Sequence, residues 1–131
     1  MSDEMIALSR RAVACRGWRW MAGMKVDGGF RVVESLVPFT FPVDLPDLAD
    51  PATLGCLLAL VREAWRCPTV YVRQSTTRRV SDGVVAWEVC NLWLLDADAC
   101  RAFGVDRQGS VGSWGHGSEA EALVAALESA P

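Results

Sequence analysis

The chain is 131 residues long, the length of one domain. Hydrophobic residues make up 51% and charged residues 22%, a balance that excludes intrinsic disorder. A net charge of −3 and a pI near 5.1 count against a dedicated nucleic-acid binder, whose domain would be basic.

The first residues, Met1-Ser2-Asp3-Glu4, are acidic where a secretory leader carries positive charge, and no apolar h-region follows. The longest clearly apolar run, residues 54–61, is far short of the roughly 20 residues that span a bilayer. The expectation is a cytoplasmic protein that does not engage membranes. Five cysteines (Cys15, Cys56, Cys67, Cys90 and Cys100) leave one over if paired, and they read as reduced, small, mostly buried residues. Charge is uneven: residues 1–80 carry eleven basic and eight acidic side chains, residues 81–131 two basic and eight acidic. A solvated surface around one core accounts for that; a polar face for a partner is the competing reading.

Residues 3–16 place Met5, Leu8, Ala12 and Cys15 at steps of three and four, one stripe of a helix. Ser2 serves as its cap, and Asp3 and Glu4 sit where the dipole favours anions. Arg10, Arg11 and Arg16 lie toward the other end, and Gly17 supplies a left-handed stop. Residues 18–26 and 30–37 then flank Asp27-Gly28-Gly29, a hairpin signal. On the first strand Trp18, Trp20, Ala22 and Met24 would share a face. Pro38 and Pro42 end the ladder, and residues 43–49 read as a loop.

Asp50 as cap and Pro51 at the first helical position open a second helix. Leu54, Leu57, Leu58, Val61 and Trp65 form its stripe; Gly55 implies a close approach to the sheet, and Pro68 marks the end. Residues 69–75 and 84–95 predict a second strand pair, joined by a polar loop ending Ser81-Asp82-Gly83. Both faces of 84–95 are largely apolar, as in a central strand covered on both sides. Residues 96–103 suggest a short helix stopped by Gly104, and 109–117 a glycine-rich loop. Ser118-Glu119-Ala120-Glu121 is a capping box before a last helix reaching about Ser129.

The expected order is therefore α-β-β-α-β-β-α. It makes an α+β domain over residues 1–131, with a mainly antiparallel sheet built from two hairpins and covered by amphipathic helices. Residues 45–65 (LPDLADPATLGCLLALVREAW), the ending at residues 118–128 (SEAEALVAALE), and Gly17-Trp18 after the first helix carry a resemblance. They resemble small bacteriophage and prophage proteins of the phage α-β-α sandwich family. The resemblance implies a sandwich fold and a phage origin; it brings no catalytic residues, and residues 66–115 match it least.

Chemistry has few footholds in this sequence. His116 is the one histidine, and a triad with Ser110 or Ser113 fails because Val111 stands where the nucleophile turn needs glycine. An exposed loop histidine is the simpler reading. A phosphate cradle at 112–117 lacks its lysine, Ser118 standing there, and Glu119 and Glu121 repel an anion. No Cys-x-x-Cys spacing occurs, and Asp96, Asp98 and Asp106 do not fit a calcium loop. Cys67 and Cys100 lack an identifiable base. The expectation is no catalytic set, no metal and no cofactor.

Six tryptophans stand out. Trp65 and Trp87 or Trp93 read as core. Trp18, Trp20 and Trp114 are candidate partner anchors, because Trp and Arg dominate binding hot spots. Arg73, Arg78 and Arg79 are candidates for the same surface or for a nucleic-acid backbone. The leading expectation is a non-enzymatic phage accessory protein that binds a host or phage protein and inhibits a defence or housekeeping factor. A nucleic-acid module built on the Arg73/Arg78/Arg79 hairpin is the alternative, and self-association into a homodimer the remaining option.

Overall fold

The computed structural model describes residues 2–39, 44–81, 84–90 and 116–130. The first helix, α1 (Asp3–Val13), starts as its sequence dictates: the Ser2 hydroxyl accepts from the Met5 N–H at 3.2 Å. Leu8 and Ala12 face the core, and Ser9 beside them donates to the Pro46 carbonyl at 3.0 Å, tying the loop at 44–50 to the helix. The helix stops at Val13, short of residue 16, and Gly17 is not its left-handed stop. Among the described residues the glycines with positive φ are Gly23 and Gly28. Gly17 serves close packing instead, since a Cβ there would lie 3.0 Å from Leu127 Cδ1 and 3.3 Å from Ala64 Cβ.

The turn at Asp27-Gly28-Gly29 forms, with Gly28 at φ 68 and the Val26 N–H donating to the Phe30 carbonyl at 2.9 Å. The flanking runs are not strands. Among the described residues pairing amounts to the bridges Lys25↔Arg31 and Val26↔Pro46 and to the bonds from the Gly23 N–H to the Val32 carbonyl at 2.8 Å and from the Val32 N–H to the Met24 carbonyl at 2.7 Å, and Glu34–Phe39 turns into a 3-10 helix. The left-handed Gly23, with φ 101, breaks the extended backbone before residue 24. Trp18, Trp20 and Met24 therefore do not share a strand face, although Met24 is fully buried.

Helix α2 (Pro51–Ala64) is capped by Asp50, whose Oδ2 accepts from the Thr53 N–H and hydroxyl, both at 2.9 Å. Leu57, Leu60 and Val61 are buried, as is Trp65 just after the helix. Gly55 is exposed with nothing within 4 Å of an added Cβ, so the expected close approach to the sheet is absent. The helix ends before Pro68 is reached: Arg66 takes a left-handed φ of 52 and the Cys67 N–H returns to the Arg62 carbonyl at 2.9 Å.

Strands β1 (Tyr71–Ser81) and β2 (Val84–Cys90) pair antiparallel from Tyr71↔Cys90 to Ser81↔Val84. The loop expected after residue 75 is strand as far as Ser81, and the extra length is taken up by register shifts between Gln74 and Arg79 and between Arg79 and Ser81. The far edge of β2 meets residue 116, where Trp87 and His116 exchange backbone bonds of 2.8 and 3.1 Å. Ala86, Val89 and Cys90 are buried, in keeping with a strand covered on both faces.

Helix α3 (Glu119–Glu128) is N-capped by Ser118, which accepts from the Glu121 N–H at 3.1 Å. The Glu121 carboxylate reaches past Ser118 to the Gly117 N–H at 2.8 Å, a capping box displaced by one residue. Ala122, Leu123, Val124 and Ala126 are fully buried and pack α3 against α1, α2 and both strands. The chain is thus a mixed helix-and-strand fold of α+β type with α3 at its centre. The expected helix at 96–103, most of the 109–117 loop and the Asp82-Gly83 turn lie outside the described residues.

Candidate functional site

Trp18 and Trp20 come together although no strand aligns them. Their ring centroids are 5.6 Å apart at 79°, an edge-to-face contact. Both are half-buried, packed on the core with part of each ring left to solvent. Arg19 between them is exposed and donates to Glu63 at 2.5 Å, which holds the segment along the end of α2.

Arg73 faces Glu88 across the strand pair and donates to it at 2.9 Å; Glu88 is buried while Arg73 is half exposed. Arg78 and Arg79 share β1 with it; strict alternation would put positions 73 and 79 on one face and 78 on the other, and the register shift between Gln74 and Arg79 interrupts that alternation. Trp114 lies outside the described residues, as do Trp93, Cys100, Ser110, Ser113, Asp96, Asp98 and Asp106.

His116 is not the exposed loop residue that its glycine neighbours suggest. It is half-buried, its backbone is bound to Trp87, and burial lowers its pKa, with Glu121 opposing the shift. The Ser118 hydroxyl accepts from the Glu121 N–H and the Glu121 carboxylate accepts from the Gly117 N–H, so the N-terminus of α3 is filled by its own carboxylate. Burial pushes the Cys15 thiol up to about 11 and raises Cys56, so both remain protonated at neutral pH. Cys67 and Cys90 are buried, and Cys15 and Cys56 are free thiols.

One feature has no counterpart in the sequence reading: an open cleft of about 580 Å³ where the C-terminal ends of α1, α2 and α3 converge. Its floor is apolar, from Ala14, Gly17, Ala64 and Leu127. Its rim is charged: Arg16 forms no ion pair among the described residues, while Arg11 grips Glu128 through Nη2 at 2.5 Å and Nε at 3.2 Å. Cys15 lines the cleft and donates to the Arg11 carbonyl at 3.3 Å. The one sequence signal for it is the cluster of arginines at the ends of the first two helices.

Among the described residues no group of three or more His, Cys, Asp or Glu side chains is placed to hold a metal ion. No helix among them is long and apolar enough to cross a membrane. No family model, curated protein or solved structure matches the chain.

Proposed function

We propose that the chain is a phage-derived accessory protein that works without catalysis, by binding a host or phage protein in the cytoplasm of an infected or lysogenic bacterium. Inhibition of a defence or housekeeping factor is the outcome this reading assigns. The observation that carries it is the Trp18–Trp20 pair. Two large rings, fixed against each other and partly open to solvent, lose little conformational freedom when a partner covers them. The exposed Arg19–Glu63 pair links the same segment to α2.

The phage origin rests on the resemblance of residues 45–65 and 118–128. So does the finer architecture, an α-β-α sandwich; β2, bordered by β1 and by residue 116, supports it. The protonated thiols of Cys15 and Cys56 support the non-catalytic part, since neither is a ready nucleophile at neutral pH.

The test is a photo-crosslinking residue in place of Ala22, which is exposed and close in sequence to Trp20, in the full chain expressed in a bacterial host. One dominant protein adduct that disappears on Trp20→Ala is expected. A lack of adducts, or adducts indifferent to that change, refutes the reading. The alternative, a nucleic-acid module, draws on Arg73, Arg78 and Arg79 sharing β1, although Glu88 already engages Arg73. It requires a mobility shift at low salt that Arg78→Glu abolishes.

A further inference from the structure

We infer that the outer edge of β1 at residues 71–74 is a docking site for an extended acidic segment of a partner protein, which adds to the sheet as a further strand. The inference goes beyond the Trp18–Trp20 pair and draws on other residues.

A strand can pair along two edges, and β1 uses one. Tyr71, Val72, Arg73 and Gln74 pair with Cys90, Val89, Glu88 and Trp87 of β2. Among the described residues none of these four bonds its backbone to any other segment. β2, by contrast, is met on its far side, where Trp87 pairs with His116. Just before β1 the Val70 carbonyl is taken by Arg62 at 2.7 Å, so the open stretch begins at Tyr71. Solvent reaches it: Tyr71 is 42% exposed, and Arg73 and Gln74 are exposed as well. A row of unpaired N–H and C=O groups on extended backbone is a template for one more strand.

The side chains select what that strand carries. Val70 is buried and Val72 packs on the core, which leaves Tyr71 and Arg73 neighbours on the outer face. Arg73 uses only Nε for Glu88, at 2.9 Å. Its two Nη groups bond to nothing among the described residues, although the side chain is half exposed. A carboxylate opposite Arg73 on the added strand occupies those donors. An aromatic or β-branched residue two places away then lies against Tyr71. Residues 71–81 hold Arg73, Arg78 and Arg79 and no acidic residue, so the strand itself favours an acidic neighbour.

The same composition disfavours a second copy of the chain. Two β1 edges laid antiparallel bring arginines toward arginines, and like charges across a strand pair are destabilising. A nucleic acid fits worse, because phosphates accept hydrogen bonds and cannot donate to the strand's carbonyls. A peptide backbone supplies donor and acceptor alike, at the spacing of a strand.

The experiment uses the full chain and a bead-displayed library of random dodecapeptides, with fluorescence anisotropy on the enriched sequences. Peptides with Asp or Glu two places from an aromatic or β-branched residue should be enriched, and should bind more weakly as salt rises. The best peptide is then N-methylated at its odd or at its even positions. One version should lose about tenfold or more and the other far less, because the amides of an added strand alternate between sheet and solvent. Tyr71→Ser should weaken binding about fivefold. Arg73→Gln combined with Glu88→Gln, which leaves no charge buried alone, should remove the preference for acidic peptides. The N-methylation comparison alters no residue of the protein, so it decides the matter where that double variant fails to fold. The inference is overturned if no acidic consensus emerges, if both N-methylated peptides bind alike, or if single-stranded DNA of equal charge binds more tightly. A chain that sediments as a dimer until Tyr71→Lys dissolves it overturns the inference too, giving the edge to a second copy. Adducts at position 22 that disappear on Trp20→Ala alongside any of these results leave protein binding at the tryptophans standing and remove the β1 edge alone.

Discussion

Trp65 joins α2 to α3, and replacing it with phenylalanine measures how strongly. The side chain is 1% exposed and its Nε1 donates to the Ala126 carbonyl at 2.8 Å. That carbonyl lies in the last turn of α3, where helix acceptors lose their partners. The Ala130 N–H, which would serve it in a longer helix, turns instead to Leu127 at 3.3 Å. Trp65 therefore acts as a C-terminal cap delivered from the end of α2.

Trp65→Phe keeps an aromatic ring in place but removes the donor and leaves a void. A buried carbonyl without its partner costs about 1–3 kcal/mol, and the residual cavity adds about 1 kcal/mol. The expected loss is about 2–4 kcal/mol. For a domain of this size that lowers the melting temperature by about 8–16 °C. The measurement is urea denaturation followed by far-UV circular dichroism, because removing an indole changes fluorescence by itself. Trp20→Phe serves as the comparison: that ring is half-buried, donates no bond among the described residues, and should cost under about 1 kcal/mol. A loss at Trp65 below about 0.5 kcal/mol would refute the capping argument.

Gly55→Ala should stabilise the protein by about 1 kcal/mol, read as a higher urea midpoint at constant slope, because the residue is helical, exposed and has open space around it. Arg66→Gly should stabilise by a similar amount, about 1 kcal/mol, by relieving the left-handed φ of 52. The bidentate bonds from Arg31, at 2.9 Å each, hold the Asp50 carboxyl well below its usual range, with Thr53 adding to the effect. Folding then favours the ionised form, so this contribution is complete above the unfolded pKa of about 3.9 and is lost as pH falls below it. Asp50→Asn should accordingly flatten the fall in melting temperature between about pH 4 and pH 2, leaving the neutral range parallel to wild type. With its thiol held near 11 by burial, Cys15 should react with iodoacetamide at pH 8 about tenfold more slowly than an unfolded thiol, as mass spectrometry can follow residue by residue.

Helix starts were the most legible part of the chain. Ser2, Asp50 and Ser118 each cap the helix that their neighbours announce, because capping is settled within four residues. Helix ends were less so: Gly17 looked like a stop and is a packing contact, while Arg66, a residue type with no turn preference, is the left-handed one. The first hairpin failed for the same reason. The turn is local and forms, but whether 18–26 continues as a strand depends on a second row of partners, and Val26 finds Pro46 instead. At the candidate site, the strand face expected to carry Trp18 and Trp20 does not form, and the two rings meet edge to face on a non-strand backbone that no local signal announces. The cleft could not be read in advance, since it is made by three helix ends far apart in sequence.

Arginines at the ends of helices have an ordinary explanation, and its magnitude decides whether it suffices. A cation at an exposed helix C-terminus is worth about 0.3–1 kcal/mol. That covers Arg10, Arg11 and Arg62, which sit in regular helical turns and pay no backbone penalty. It does not cover Arg66, where the left-handed conformation costs about 1–2 kcal/mol, so the dipole at best cancels the strain. Arg16 lies on the cleft rim beyond the last turn of α1, where the dipole has faded, and it forms no ion pair among the described residues. Among the described residues these two are the arginines that the dipole account leaves over, and Arg16 borders the apolar floor of the cleft. If Arg66→Gly proves neutral or destabilising in urea, the strain is not real and Arg66 returns to the dipole account.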